Sequence, residues 1–472
     1  MASTGDRFGP AEIVQAFATR SDLQLREEER QQLVRYAADL WDMADQLRET
    51  ARADDAAHQA TDGGPLPRRT AHGRRGPVTT PPSEVHVGTG STAAERSPNS
   101  PAHEPDLAAL GLAQAAATLE RGEASARDLV DAVIDRIARF DHTLRSCISV
   151  ASTPAREAAD AADRERASGV PQGPLSGIVI GAKDSIPVTG FPCTYNSPLT
   201  RDWWPTRDAE CVRRLRAAGA IVLAKHNLNE FGWSIPSDDD LHPPPRNPWR
   251  PDEFAVGSSS GGGVAVAAHL AYAALGTDGG GSTRLPAGQN ALFGLKPGHR
   301  RVPPDGVSEG SISEVGILAR NAEDVAAMFV PLLSNPDQPD ARRRVTDEVA
   351  AAITMVTTPA SNVRIGVPER YIADVGMEDD IATVLRMTLR SAMDLGFEVT
   401  PIDERSERHF ADARRANFVV LAAEHYFDHE ESGKDRSRYG RSAGFYNLPG
   451  ACLSAADYLH GLRIRQIVQD DV

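Results

Sequence analysis

Two glycine-rich turns that carry serines lie close together in the middle of the sequence. The first reads GSSSGGG and contains Ser258, and the second reads TDGGGST and contains Ser282. A third turn, GAKDS, places Lys183 upstream of both. A serine hydroxyl attacks a carbonyl only when a base takes its proton, and a lysine can be that base when burial and neighbouring groups lower its pKa. These three residues are therefore candidates for a nucleophilic site without a histidine.

The glycines beside the second serine fit the same chemistry. A tight glycine turn leaves backbone N–H groups uncovered, and such groups can stabilise the oxyanion that forms during acyl transfer. We predict that Gly279, Gly280 and Gly281 supply these donors. The alternative, a pair of ordinary turns that cap a buried helix, would be preferred for either turn alone, but GAKDS in the same chain argues against it.

These motifs resemble those of the amidase signature family. GAKDS, GSSSGGG, ALGTDGGGSTRLPA and GLKP occur in the family's order and context. The resemblance implies that neutral Lys183 takes a proton from Ser258, that Ser258 takes one from Ser282, and that an acyl-enzyme forms on Ser282. It also implies a cis peptide bond before Ser258, with Asp278 and Arg284 supporting the nucleophile turn.

The middle serine of this resemblance is ambiguous, because Ser258, Ser259 and Ser260 are consecutive. We prefer Ser258. Choosing Ser259 requires a one-residue deletion in the apolar segment 264–275, which we interpret as helical, and such a deletion rotates later side chains by about 100°. Ser259 is then expected to be a supporting, hydrogen-bonding neighbour.

Composition narrows the class of partner. The chain of 472 residues has 66 acidic and 51 basic side chains and a net charge of −15, which argues against a surface for nucleic acid or anionic lipid. We expect a small-molecule amide as substrate, no cofactor and no metal. His425 and His429 are four apart beside carboxylates, but a polar helix face is the preferred interpretation over a zinc site.

Other features of the sequence point to the cytoplasm. The four cysteines lack CxxC spacing, the N-terminus lacks a secretory signal pattern, and no apolar run reaches the ~18 residues of a membrane span. A homo-oligomer is an open alternative to a monomer.

We divide the chain into a helical N-terminal segment (1–58), a disordered linker (59–104) and an amidase signature domain (105–472). The first has an apolar stripe at helical spacing: Leu33, Tyr36, Ala37, Leu40, Trp41, Ala44 and Leu47. It loosely resembles the small C subunit that wraps the larger amidase subunit of tRNA-dependent amidotransferases, and a generic docking hairpin is the alternative. The linker is rich in Pro, Gly, Ser and Thr and poor in large apolar residues.

In the third part, helical patterns alternate with apolar runs that precede Lys183 and Lys225. This alternation predicts an α/β fold with a mixed central sheet covered by helices on both faces. A lysine after a buried strand is usually solvated or ion-paired, so Lys225 is the weaker candidate for a supporting role. The resemblance further implies a strand and helices beyond the terminal helical pattern, so we expect the domain to be incomplete at its C-terminal side.

The sequence thus predicts a hydrolase of linear amides. One alternative is an amidotransferase component that releases ammonia from glutamine for a partner. A noncatalytic scaffold is disfavoured, because every proposed chemical residue is present.

Overall fold

The computed structural model describes residues 27–60, 106–238, 240–307, 310–338, 340–431, 438–440 and 448–471, and positions 11 and 443. Its α-helices, numbered along the chain, are α1 (Glu27–Ala60), α2 (Leu112–Glu120), α3 (Ala126–Leu144), α4 (Ser152–Ala167), α5 (Glu210–Ala217), α6 (Ser260–Ala267), α7 (Arg284–Gln289), α8 (Ala322–Leu333), α9 (Ala341–Thr357), α10 (Glu369–Asp374), α11 (Asp379–Asp394), α12 (Glu404–Glu431) and α13 (Ala455–Asp471). Its strands are β1 (Cys147–Val150), β2 (Val179–Lys183), β3 (Ile221–His226), β4 (Arg246–Asn247), β5 (Arg250–Phe254), β6 (Ala273–Asp278), β7 (Phe293–Leu295), β8 (Glu314–Ala319), β9 (Arg364–Val367) and β10 (Glu398–Pro401).

A six-stranded mixed sheet forms the centre of the fold, in the order β1-β3-β2-β6-β8-β7. Strands β3, β2 and β6 are parallel, while β1, β8 and β7 pair antiparallel to their neighbours. The predicted α/β fold with a mixed central sheet is confirmed. Because β2 and β6 are adjacent and parallel, their carboxyl ends meet at one edge of the sheet.

The central strands are apolar because helices cover them. Every residue of β2, β3, β6 and β8 is buried, which explains their nearly continuous apolar runs. Helix α3 begins with a capping box: Ser125 Oγ accepts a hydrogen bond from the Asp128 N–H, and the Asp128 carboxylate accepts one from the Ser125 N–H. One stripe of α3, including Leu129, Val133 and Ile137, is buried in the main core.

The apolar segment 264–275 is not the single helix that its composition predicts. Helix α6 ends at Ala267, and β6 begins at Ala273. His269 adopts a left-handed conformation (φ 61°), and the N–H of Leu270 donates to the Ala265 carbonyl at 2.7 Å. This is a Schellman ending, which turns the chain out of the helix despite its apolar composition.

The N-terminal helix α1 packs against the last two helices of the chain. Ala44 and Leu47 are fully buried with Ala416 and Val419 of α12 and with Ile464 of α13. Trp41 Nε1 donates a hydrogen bond to the Cys452 carbonyl at 2.8 Å, and Arg48 forms an ion pair with the buried Asp457 at 3.2 Å. The amphipathic stripe therefore has its partner in the same chain.

Some of the predicted N-terminal features lie outside the described residues. These are the helical pattern before residue 27 (apart from position 11), the side chains of Leu33 and Tyr36, and the linker 59–104 except for its first two residues, which end α1. In the described part of the chain, no helix combines the length and apolarity that crossing a membrane requires.

Candidate active site

Lys183 lies at the carboxyl end of β2 and is almost fully buried (1% exposed). Its Nζ donates hydrogen bonds to Ser258 Oγ at 2.8 Å and to Thr277 Oγ1 at 2.5 Å. Thr277 belongs to the neighbouring strand β6, so the parallel pairing of β2 and β6 brings these two side chains together. The amine is thus aimed at the serine turn.

The serine turn lies between β5 and α6. The peptide bond between Gly257 and Ser258 is cis. Ser259 does not take part in the lysine contact: its Oγ contacts the backbone of Thr277, and its N–H donates to the Ser282 carbonyl at 3.0 Å. The first serine therefore faces Lys183, and the second fixes the turn against β6 and the second glycine turn.

A glycine in β6 allows this close approach. A Cβ at Gly276 would lie 2.7 Å from Ser259 Oγ and 3.0 Å from Thr283 Oγ1. A side chain at this position would displace the side chains of Ser259 and Thr283, one from each glycine turn. The glycine of the ALGTDGGG motif is therefore required for the packing of the site.

Asp278 braces the second glycine turn. Its fully buried carboxylate accepts hydrogen bonds from the backbone N–H groups of Gly281, Thr283 and Arg284 and two from the Arg284 guanidinium, at 2.8–3.2 Å. Burial opposes ionisation of Asp278, but the Arg284 side chain and the backbone donors outweigh it and hold the pKa of this carboxyl below its usual value. The charged form fixes the backbone on both sides of Ser282.

Ser258 and Ser282 open onto one cleft of about 540 Å³, within the usual size range of small-molecule sites. No hydrogen bond between their Oγ atoms is present in the described part of the chain. The two serines are linked instead by the backbone contact of Ser259 and by the cleft that they share.

The three glycines before Ser282 differ in their surroundings. Gly279 and Gly280 line the cleft. Gly281 has a left-handed φ of 122°, and its N–H already donates to Asp278 Oδ1 at 2.8 Å. This contact differs from the expectation that all three N–H groups are free to face a reacting carbonyl.

Comparison with known proteins supports the motif resemblance. The family model described as Amidase matches residues 128–445, which is more than half of the chain. The chain belongs to the amidase family. The family assignment made from the motifs is thereby confirmed.

Individual relatives share this family and its fold. The chain is 38% identical over 318 residues to the A subunit of the glutamyl-tRNA(Gln) amidotransferase from Roseiflexus castenholzii, an alignment that covers 67% of this chain and 63% of the relative. It thus spans under two thirds of that protein's length. Among solved structures, an amidase superposes with a TM-score of 0.66 at 26% identity over 77% of this chain and 78% of the other. The peptide amidase of Stenotrophomonas maltophilia superposes with a TM-score of 0.57 at 27% identity, over 75% and 78% of the two chains.

Lys225 has a different environment from Lys183 within the amidase fold. Its Nζ lies 2.9 Å from the Asp184 carboxylate, and both side chains are fully buried. Asp184 also accepts hydrogen bonds from the backbone and hydroxyl of Thr194. Lys225 is therefore ion-paired, which is one of the two environments expected for it from the sequence. Through this ion pair it holds Asp184, the residue that follows Lys183.

Sequence reasoning missed two contacts of this site. Thr277 was not singled out, because its approach to Lys183 depends on the register of β2 and β6. Asn417 of α12 donates a hydrogen bond to the Gly279 carbonyl at 3.0 Å, over 138 positions of sequence. No local motif signals that contact.

The histidines of α12 lie closer to the serine motifs than their position in the sequence indicates. His425 lines the same cleft as Ser258 and Ser282, and its ring stacks on Trp233 with centroids 5.2 Å apart. His429 stacks edge-on against Phe231 at 4.6 Å. His425 therefore lies beside the serine turns in the fold. Within the described residues, no group of three or more His, Cys, Asp or Glu side chains is placed to hold a metal.

Proposed function

We propose that this chain hydrolyses a linear amide through an acyl-enzyme on Ser282. The observation that carries the proposal is the 2.8 Å hydrogen bond from buried Lys183 to Ser258, at a cleft that Ser282 also lines. Lysine in its neutral form can accept a proton, and burial of an amine favours its neutral form.

The proposed reaction has two halves. In the first, Ser282 Oγ bonds to the amide carbon, its proton passes to Ser258, and the Ser258 proton passes to Lys183 Nζ. The carbon–nitrogen bond then breaks, and the amine leaves with the proton that Lys183 received. In the second, water adds to the ester on Ser282, the acid is released, and Ser282 regains its proton.

Groups around Ser282 are proposed to stabilise the charge that develops on the carbonyl oxygen. Gly279 and Gly280 line the cleft and are the leading oxyanion donors, whereas Gly281 would have to share its N–H with Asp278. Asp278 and Arg284 are proposed to hold this backbone in place rather than to touch the substrate.

A covalent probe tests the proposal directly. A fluorophosphonate should label Ser282 of the folded chain, as located by mass spectrometry, and Ser282→Ala should abolish both labelling and the release of ammonia or amine. Ser168→Ala serves as the matched control, because Ser168 is exposed and does not line the cleft. A folded wild-type chain with an unlabelled Ser282 would refute the acyl-enzyme.

A glutamine-hydrolysing component of an amidotransferase is the second candidate. It is favoured by the identity of the relatives, which are the A subunits of glutamyl-tRNA(Gln) amidotransferases. Such a protein would use the same residues to release ammonia and deliver it to a partner. Glutamine turnover that appears only when candidate partner proteins are added would establish this function in place of a free amidase.

A further inference from the structure

Several aromatic rings line the proposed catalytic cleft. We define the aromatic wall as Phe231, Trp233, Phe418 and His425, all of which line the cleft. Trp233 lies at the centre, with ring centroids 5.2 Å from His425 and 6.3 Å from Phe418. These separations lie in the range of favourable aromatic pairs.

Further rings support the wall from behind. Phe231 contacts Tyr195, His429 and Tyr439 with centroid separations of 5.6, 4.6 and 5.6 Å. Phe231 also has a left-handed backbone conformation (φ 52°), which is costly for a bulky residue and persists only where the surroundings enforce it. The wall is therefore a fixed surface rather than a set of loose side chains.

Apolar groups continue around the mouth of the cleft. Ile235, Phe254 and Leu285 line it and remain 47%, 36% and 54% exposed. Among the described residues that line the cleft, none has a carboxylate, ammonium or guanidinium group. A ligand with a positively charged head group would lose hydration here without gaining an opposite charge, whereas an uncharged flat ring would contact the apolar lining without that loss.

We propose that the acyl group cleaved by this chain carries an aromatic ring, which lies against the aromatic wall. The inference rests on the proposed amidase function and names the substrate class of the same site. The acyl group stays bonded to Ser282 until water arrives, so it gains most from a preformed surface within the cleft. The amine departs when the acyl-enzyme forms, so a surface that held it would act in the first half of the reaction only. Trp233 and Phe418 are the residues that determine this specificity.

Matched primary amides test the substrate class. Ammonia release is measured with 3-phenylpropanamide, hexanamide, acetamide and glutamine. We expect kcat/KM for the aryl amide to exceed that for hexanamide by about tenfold, because ring stacking adds to the burial that both amides share. Equal or greater values for hexanamide or for glutamine would overturn the inference.

Substitution of the wall tests the assigned residues. In Trp233→Leu and in Phe418→Leu, the ratio of kcat/KM for 3-phenylpropanamide to that for hexanamide should fall about tenfold towards unity. The exposed Trp204 provides the matched control, since Trp204→Leu removes an indole outside the cleft and should leave the ratio unchanged. An unchanged ratio in both wall variants would show that these rings do not select the substrate.

Fluorophosphonate labelling separates this inference from the function on which it rests. A wild-type chain that labels at Ser282 and hydrolyses amides without an aryl preference would remain an amidase, and only the substrate class would be wrong. A folded chain that neither labels nor hydrolyses any of the amides would overturn the proposed function itself. Thermal melts and labelling of the two wall variants show whether each one folds and keeps its nucleophile.

Discussion

Two adjacent serines have clearly different surroundings. Lys183 donates to Ser258, while Ser259 contacts the Thr277 backbone. Ser258→Ala should therefore lower kcat by about 10²- to 10⁴-fold, the usual contribution of a proton-transfer group, and Ser259→Ala by much less. Single-turnover amide hydrolysis by the two variants provides the measurement. A larger loss from Ser259→Ala would reverse the assignment.

Glu230 gives a pH-dependent prediction. Burial raises the pKa of this carboxyl to about 7, and nearby Asp240 adds to the rise, although Ser197 and the Gly440 N–H favour the charged form. Since the folded state holds the proton more tightly, stability falls as pH rises between the ordinary value of 4.5 and about 7. Glu230→Gln should remove this loss. The difference in unfolding free energy between the variant and wild type should therefore shift in favour of the variant by up to about 3 kcal/mol from pH 4 to pH 8. Urea unfolding of both proteins at pH 4 and pH 8 measures this shift. A variant that is more stable than wild type only at pH 4 would contradict the raised pKa of Glu230.

Sequence motifs predicted individual site residues where these residues lie within a few positions of one another. GAKDS and the two glycine turns identified Lys183, Ser258 and Ser282 as residues that could meet. In the structure Ser258 and Ser282 line one cleft, and buried Lys183 is hydrogen-bonded to Ser258. The motifs could not reveal Thr277 or the pairing of Asp184 with Lys225, because both depend on which residues of adjacent strands lie side by side. The catalytic roles themselves stay predictions.

Helix α12 connects the cleft to the N-terminal helix. Phe418, Leu421 and His425 line the cleft, whereas Ala416 and Val419 pack against α1 and α13. The bend after Ala267 shows why such elements are hard to derive locally: an apolar run gives no sign of the left-handed residue that ends α6. The amphipathic stripe of α1 did predict a partner, but its spacing could not say which helix that was.

Asn417 is expected to position the glycine turn. Asn417→Asp keeps the side-chain shape but cannot donate to the Gly279 carbonyl, so kcat should fall by about fivefold, in line with ~1 kcal/mol for one hydrogen bond, with a smaller effect on KM. Steady-state kinetics measure both parameters. Arg414→Ala, at an exposed position on the same helix, is the control. A change in KM alone would argue against a positioning role.

The contact between α1 and the C-terminal helices should contribute strongly to stability. Leu47 is fully buried in the cluster with Val419 and Ile464, so Leu47→Ala should cost about 2–5 kcal/mol of unfolding free energy. Hydrogen exchange should then increase in α12 and α13. Asp39→Ala, on the exposed face of α1, should change neither quantity. Unaltered exchange in Leu47→Ala would show that α1 does not support these helices.

For the whole molecule, a second apolar surface lies away from the cleft lining. Helix α11 exposes Ile381, Val384 and Met387, at 57%, 61% and 63%, at three-residue spacing. Such a patch favours self-association, so the mass measured by light scattering should rise with concentration. The double variant Val384→Glu/Met387→Glu should weaken that rise. A wild-type chain that stays monomeric at all concentrations would contradict the prediction.

The fold class could be predicted from the sequence, whereas the contacts between its strands and helices could not. Alternating helical patterns and buried apolar runs specify an α/β sheet, because each strand must be covered by the helices that follow it. The order β1-β3-β2-β6-β8-β7 could not be obtained in this way, since strand pairing depends on packing across the whole molecule. The division of the chain into 1–58, 59–104 and 105–472 stays a prediction.

The packing of α1 also affects how the protein folds during synthesis. Trp41 and the Cys452 carbonyl, which meet in the fold, are 411 residues apart in sequence. Helix α1 leaves the ribosome long before α12 and α13, which bury Ala44 and Leu47 of its apolar stripe. At translation rates of about 5–20 residues per second, that stripe stays uncovered for tens of seconds. The nascent chain therefore exposes these apolar side chains of α1, a surface of the kind that chaperones bind, until α12 and α13 have been synthesised.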